Sequence, residues 1–130
     1  MVHEWALADS IVLYVKNQGL TKIRRLIVKL GALQSIDKEI LEFALRELSR
    51  QSEVVVDVIE IVEEQPELRC NTCGYSWVIN LDSMSEHVRE SIHFLPESIY
   101  AFIRCPRCGG IDYEIVKGRG LGEILVEQYD

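Results

Sequence analysis

The chain has 130 residues, 48% of them apolar, enough for one compact domain or for a small domain carrying a stapled module. Its formal charge of −7 repels phosphate backbones, and its cations do not cluster: Arg24–Arg25 and Arg46/Arg50 make no basic stripe, so no nucleic-acid partner is expected. No apolar run approaches the roughly 18 residues of a membrane span, and Met1 to Trp5 is not the start of a secretory signal, so the expected location is cytoplasmic.

Residues 4–17 are predicted to be a helix, because Trp5, Ala8, Val12 and Val15 recur at helical spacing with Ile11 beside them, and Gly19 ends it. Residues 22–30 are predicted to be a strand with Leu26, Val28 and Leu30 on one face. Asp37 is an N-cap and Glu39 suits the first turn of the next helix, whose apolar stripe is Ile40, Leu41, Ala44, Leu45 and Leu48. The β-branched run 54–63 reads as a well-buried strand. A strand-helix-strand order favours parallel pairing through a crossover, with antiparallel pairing still open.

The character changes near Pro66. From there to 118 lie all four cysteines together with His87 and His93, as in an inserted module. Lys117-Gly118-Arg119-Gly120-Leu121-Gly122 reads as a flexible return and hinge; it lacks the lysine-serine ending and following helix of a phosphate loop. Residues 123–128 are strand-like and expected to rejoin the first sheet. The expected fold is α+β: a small mixed sheet with two helices over 1–65 and 119–130, and a zinc-ribbon-like module over 66–118.

Two motifs carry chemistry. The first is Cys70-Asn71-Thr72-Cys73-Gly74 with Cys105-Pro106-Arg107-Cys108-Gly109, the pairs separated by residues 74–104. Two residues between cysteines form a turn that aims both sulfurs at one point, and the following glycine lets backbone amides face the thiolates. Two such turns make a tetrahedral four-sulfur site that suits structural zinc; iron in a rubredoxin-like electron carrier is the competitor. Four thiolates leave no open position for catalysis, and no Ser/His/Asp set is legible, so the chain is not expected to be an enzyme. A zinc-ribbon nucleic-acid adaptor is a further alternative, opposed by the acidic charge. A module of this size is expected to have little core of its own and to depend on the metal.

The second motif is Met1-Val2-His3-Glu4-Trp5. An amine, adjacent amides and a nearby imidazole can wrap one ion in planar nitrogen chelate rings, a geometry that suits Ni(II) or Cu(II) and not zinc. Binding displaces protons, so affinity rises with pH. Alone the motif is weak, since terminal histidines usually fray. His87, in a polar stretch, reads as solvated, and His93 by itself as a structural histidine.

The His-Glu-Trp start, amphipathic helix, acidic α/β domain and inserted cysteine module together resemble the HypA/HybF family of nickel metallochaperones for [NiFe]-hydrogenase maturation. Val-Lys-Leu-Gly at 28–31, Ile-His-Phe-Leu-Pro-Glu at 92–97 and Lys-Gly-Arg-Gly at 117–120 extend the likeness over nearly the whole chain, and the long spacer resembles the archaeal branch. The resemblance implies Ni(II) as cargo, zinc as a structural ion, a HypB-type nucleotide-hydrolysing partner and the hydrogenase large subunit as recipient. It places the nickel imidazole on His3, its neighbouring carboxylate on Glu4, and a completing histidine on His93. The family start has histidine second, whereas Val2 precedes His3 here. Removal of Met1 would make Val2 the free amine and restore the spacing; a retained Met1 would let His3 fill a square plane without His93.

Overall fold

The computed structural model describes residues 4–33 and 36–129. Helix α1 (Glu4–Asn17) leads into β1 (Lys22–Gly31), α2 (Lys38–Gln51) and β2 (Val55–Glu64). There follow β3 (Glu67–Cys70), β4 (Ser76–Val78), a 3-10 turn at Leu81–Ser83, α3 (Glu86–Phe94), a second 3-10 turn at Pro96–Ser98, α4 (Ile99–Phe102), β5 (Tyr113–Lys117) and β6 (Leu121–Gln128). Among the described residues, 4–29, 36–62 and 123–129 form one compact unit, and 30–33 and 63–122 form the other.

In the first unit α1 and α2 pack together. Ala8, Ile11, Val12 and Val15 of α1 are buried, as are Leu41, Ala44, Leu45 and Ser49 of α2. Trp5 departs from the expected stripe: it is 44% exposed and meets the exposed Phe43 ring edge-on at 6.0 Å. Ile40 is likewise exposed. Asp37 caps α2 as expected, its carboxylate accepting the N–H groups of Glu39 and Ile40.

The sheet order is β2-β1-β6. The Val55 N–H donates to Thr21 O at the start of β1 and β2, and the Ala32 N–H to Glu64 O at their ends, so these strands run parallel. The Gly31 N–H donates to Gly120 O, joining the end of β1 to the start of β6, so this pair is antiparallel and the sheet is mixed. Strand β2 is therefore an edge, which overturns the reading of 54–63 as well buried. Val54 and Ile59 are buried, while Val55 is 54% and Val58 47% exposed. A β-branched run reads alike at an edge or a centre; only strand order separates the two.

The second unit is built on an antiparallel sheet of order β4-β3-β5. Leu68 lies opposite Trp77 on one side and Ile115 on the other, and Cys70 opposite Tyr113. The unit has its own core of Ala32, Leu33, Leu68, Ile79, Leu81, Ile92, Ile99 and Tyr113, contrary to the expectation of little core. Ala32 and Leu33 reach it from the end of β1, far away in sequence. The glycine return is also more ordered than expected. Gly118 has φ +102, and its neighbour Pro66 leaves no room: a Cβ on Gly118 would lie 2.6 Å from Pro66 Cα, and one on Gly31 2.1 Å from the Gly118 carbonyl carbon. The Leu33 N–H donates to Gly118 O at 3.0 Å. The glycines serve close packing of backbones.

Candidate metal centre

Strand β3 ends on Cys70, and the chain turns at once into β4; β5 begins just after the second cysteine pair. The two turns repeat one hydrogen-bond pattern. The Gly74 N–H donates to Cys70 O and the Gly109 N–H to Cys105 O; the Cys70 N–H donates to Tyr75 O and the Cys105 N–H to Gly110 O. Gly74 and Gly109 close the turns at φ +77 and +76, a region that other side chains disfavour. The Asn71 amide donates to the Asp112 carboxylate at 3.1 Å, tying the first turn to the residue just before β5.

The turns face each other. Cys70 and Cys108 bring their Sγ atoms to 3.6 Å, as do Cys73 and Cys105, and all four sulfurs lie within 4.8 Å of one another. A tetrahedron with metal–sulfur bonds of about 2.3 Å has sulfur–sulfur edges of about 3.8 Å, so the four cysteines fit zinc. Cys70 and Cys105 are buried, Cys73 is half-buried and Cys108 is exposed.

The electrostatics favour a cation. The Cys73 and Thr72 N–H groups hold the Cys70 thiol down to about 6. The Gly110 N–H is the largest single influence on Cys108 and lowers it, but Cys70, burial, Cys105 and Cys73 together outweigh it, and Cys108 is pushed up to about 11. Thiols this close resist sharing more negative charge; a divalent ion lets all four ionise together.

Beside the turns an aromatic ladder supports β5. Tyr75 stacks on Trp77, Trp77 meets Tyr113 edge-on at 5.4 Å, and Tyr113 stacks on Tyr100 at 4.7 Å. The buried Tyr113 hydroxyl has the Ile103 and Ile99 carbonyls within 2.9 and 3.2 Å, and the Tyr100 hydroxyl donates to Tyr113 O. Burial, then the nearby Tyr100, pushes Tyr113 up to about 12.

Of the expected nickel donors, Val2 and His3 lie outside the described residues. Glu4 opens α1, and its carboxylate accepts the Asp37 backbone N–H at 3.1 Å. His93, in the last turn of α3, has Nε2 3.1 Å from Ala32 O. A carbonyl only accepts, so Nε2 carries the proton, and in the neutral ring Nδ1 is the nitrogen with the lone pair. His87 is exposed, edge-on to Phe102. Sequence reasoning named Asp37 only as a cap and did not find Ala32 as the partner of His93; neither pairing has a local signal.

Residues 2–128 match the family model described as hydrogenase/urease nickel incorporation, metallochaperone, hypA. A hydrogenase maturation factor HypA of Pyrococcus abyssi is 44% identical over 128 residues, covering 92% of this chain and 91% of the relative. That of Pyrococcus furiosus is 39% identical over 137 residues, covering 98% and 97%. The solution structure of the Ni metallochaperone HypA from Helicobacter pylori matches with a TM-score of 0.59 at 21% identity, over 98% of this chain and 100% of that one. A second solution structure of a HypA protein gives 0.62 at 22% identity, over 98% and 96%. At these identities the two structures speak for the α+β fold alone.

Proposed function

The chain belongs to the HypA family of nickel-incorporation metallochaperones, and from that membership we propose that it takes up Ni(II) at its amino terminus and delivers it to the large subunit of a [NiFe]-hydrogenase during maturation. The observation that carries the reading is the family match itself, which spans residues 2–128 and so takes in His3, Glu4 and all four cysteines. It does not favour a nucleic-acid adaptor or an electron carrier. No helix among the described residues is long and apolar enough to cross a membrane, and the proposed setting is the cytoplasm.

In this reading the two metals have separate places. Zinc is structural and held by Cys70, Cys73, Cys105 and Cys108; when bound it supplies charge that keeps four thiolates together and offers no open position to a substrate. Nickel is cargo, held by the amine and amides of the terminus, which include Val2, and by the His3 imidazole. Glu4 anchors the start of α1 through Asp37. If His93 adds a donor, that donor is Nδ1, with Ala32 fixing the ring. A HypB-type nucleotide-hydrolysing protein is the proposed partner in transfer.

The test is His3→Ala. Calorimetry should find specific nickel binding abolished, with zinc content and thermal unfolding unchanged, because no other imidazole lies within chelating reach of the amine in sequence. Nickel binding equal to that of the parent, with the amine unblocked, would overturn the site. Mass spectrometry of the native terminus decides whether Met1 or Val2 carries the amine. His93→Ala then separates the two versions: a large loss assigns the fourth donor to His93, and no loss leaves His3 closing the plane alone.

A further inference from the structure

The four cysteines are not equivalent toward solvent. Cys70 is 1% and Cys105 2% exposed, Cys73 is half-buried, and of the four only Cys108 is exposed. Pro106, Arg107 and Gly109 around it are exposed, as are Asn71, Thr72 and Gly74 around Cys73, so the difference between the two turns lies in the cysteines themselves. Gly110 adds to this. A Cβ at that position would lie 3.3 Å from Cys108 Sγ and would meet no other atom within 4 Å outside the adjoining residues, so the missing methyl leaves one flank of the sulfur uncovered. The buried Cys70 Sγ stands 3.6 Å behind it, on the opposite turn.

We propose that Cys108 is the point at which small peroxides and soft electrophiles attack this site, with Cys70 as the resolving thiol, which makes the centre a redox-releasable clasp. The inference rests on the assignment of the four cysteines to zinc. With a peroxide as oxidant, the Cys108 thiolate sulfur attacks one oxygen and the O–O bond breaks. Hydroxide leaves and takes a proton to become water, and Cys108, oxidised by two electrons, becomes a sulfenic acid. The Cys70 thiolate then attacks the Cys108 sulfur; an S–S bond forms, the S–O bond breaks, and a second hydroxide is protonated to water. The balance is one hydrogen peroxide, two thiolates and two protons giving one disulfide and two waters. Two thiolates remain where a closed tetrahedral site needs four, so metal is released. A disulfide reductant reverses the step.

The test uses the zinc-loaded full chain. Substoichiometric N-ethylmaleimide, followed by peptide mapping, should put most of the first adduct on Cys108. Hydrogen peroxide should release zinc to a colorimetric chelator in step with a Cys70–Cys108 cross-linked peptide, and dithiothreitol with added zinc should restore the starting state. G110A, at a glycine outside the left-handed region, should slow the Cys108 reaction several-fold. First adducts on Cys73 or spread evenly, a main disulfide within one pair (Cys70–Cys73 or Cys105–Cys108), or an unchanged rate in G110A would each overturn the proposal. Metal analysis before treatment reads the zinc assignment separately: a shortfall there condemns that assignment, whereas the order of reaction judges this one.

Discussion

The Glu4 carboxylate accepts the backbone N–H of Asp37 at 3.1 Å, so the opening residue of α1 is tied to the residue that caps α2. The Asp37 carboxylate accepts the N–H groups of Glu39 and Ile40. Two carboxylates thus share the positive end of one helix. Glu4→Ala should cost about 1 kcal/mol by urea unfolding, and Asp37→Ala about 1 kcal/mol for the lost cap. Glu4→Gln keeps an acceptor and should cost less. If Glu4 acts on nickel by position, Glu4→Gln also keeps nickel affinity; if it ligates, affinity falls with the charge.

Ala at Gly118 or Gly31 should be the most damaging small substitution outside the cysteines. Each added methyl would meet backbone, at 2.6 Å from Pro66 Cα and 2.1 Å from the Gly118 carbonyl carbon. Neither contact can be relieved by rotating a side chain, and Gly118 also loses its φ of +102. Overpacking of this kind costs typically 1–3 kcal/mol, and these contacts belong at or above the top of that range. Gly19→Ala is the control: it meets nothing within 4 Å, so it should show only the strain of its φ of +76. Thermal melting of the three variants decides the ranking.

Tyr113 predicts an alkaline limit. Its folded value, about 12, lies above the ordinary 10, so the fold favours the neutral phenol. The stabilisation is complete below pH 10 and is lost as pH rises through 12. Tyr113→Phe removes both the hydrogen bonds and the titration. The parent should be more stable than the variant by about 1 kcal/mol at neutral pH, and that advantage should vanish by pH 12. Cysteine titration is common to both proteins and cancels in the difference. A gap that is constant with pH would refute the burial argument.

Metal removal should act locally before it acts globally. Because the second unit has a core of its own, chelation or Cys105→Ala should not unfold it outright. Amide exchange should quicken first at 70–75 and 105–112, where N–H groups face the sulfurs, while Ile92 and Ile99 stay protected. The unit's melting temperature should nonetheless fall. Zinc should be lost progressively on acidification, as protons compete for thiolates.

The cysteine site was legible because its signal is local: two residues between sulfurs and a glycine after them dictate the turn, and the turns need only meet. Both long helices were legible from periodicity and from Asp37. What stayed hidden was non-local. The exposure of Val55 and Val58 depends on β2 ending up outermost in a three-stranded sheet. The core of the second unit is assembled from Ala32, Leu33, Leu68, Ile79, Leu81, Ile92, Ile99 and Tyr113, which share no period and so looked like too little. Gly118 and Gly120 carry the same letters whether a segment is slack or packed tight, and only Pro66 and Gly31 decide.

The antiparallel pairing of β6 with β1 has a consequence for folding. Strand β1 leaves the ribosome early, yet the strand that covers its second edge is made after the entire cysteine-bearing segment. The facing cysteine turns close across separations of 32 and 38 residues, whereas Arg24 of β1 and Glu127 of β6 are 103 apart, so the strand pairing carries the larger loop-closure cost. The cost of closure is thus written into the topology: the zinc-fitting turns close over the shorter loops, and β1 keeps an open edge until Leu121–Gln128 pairs with it.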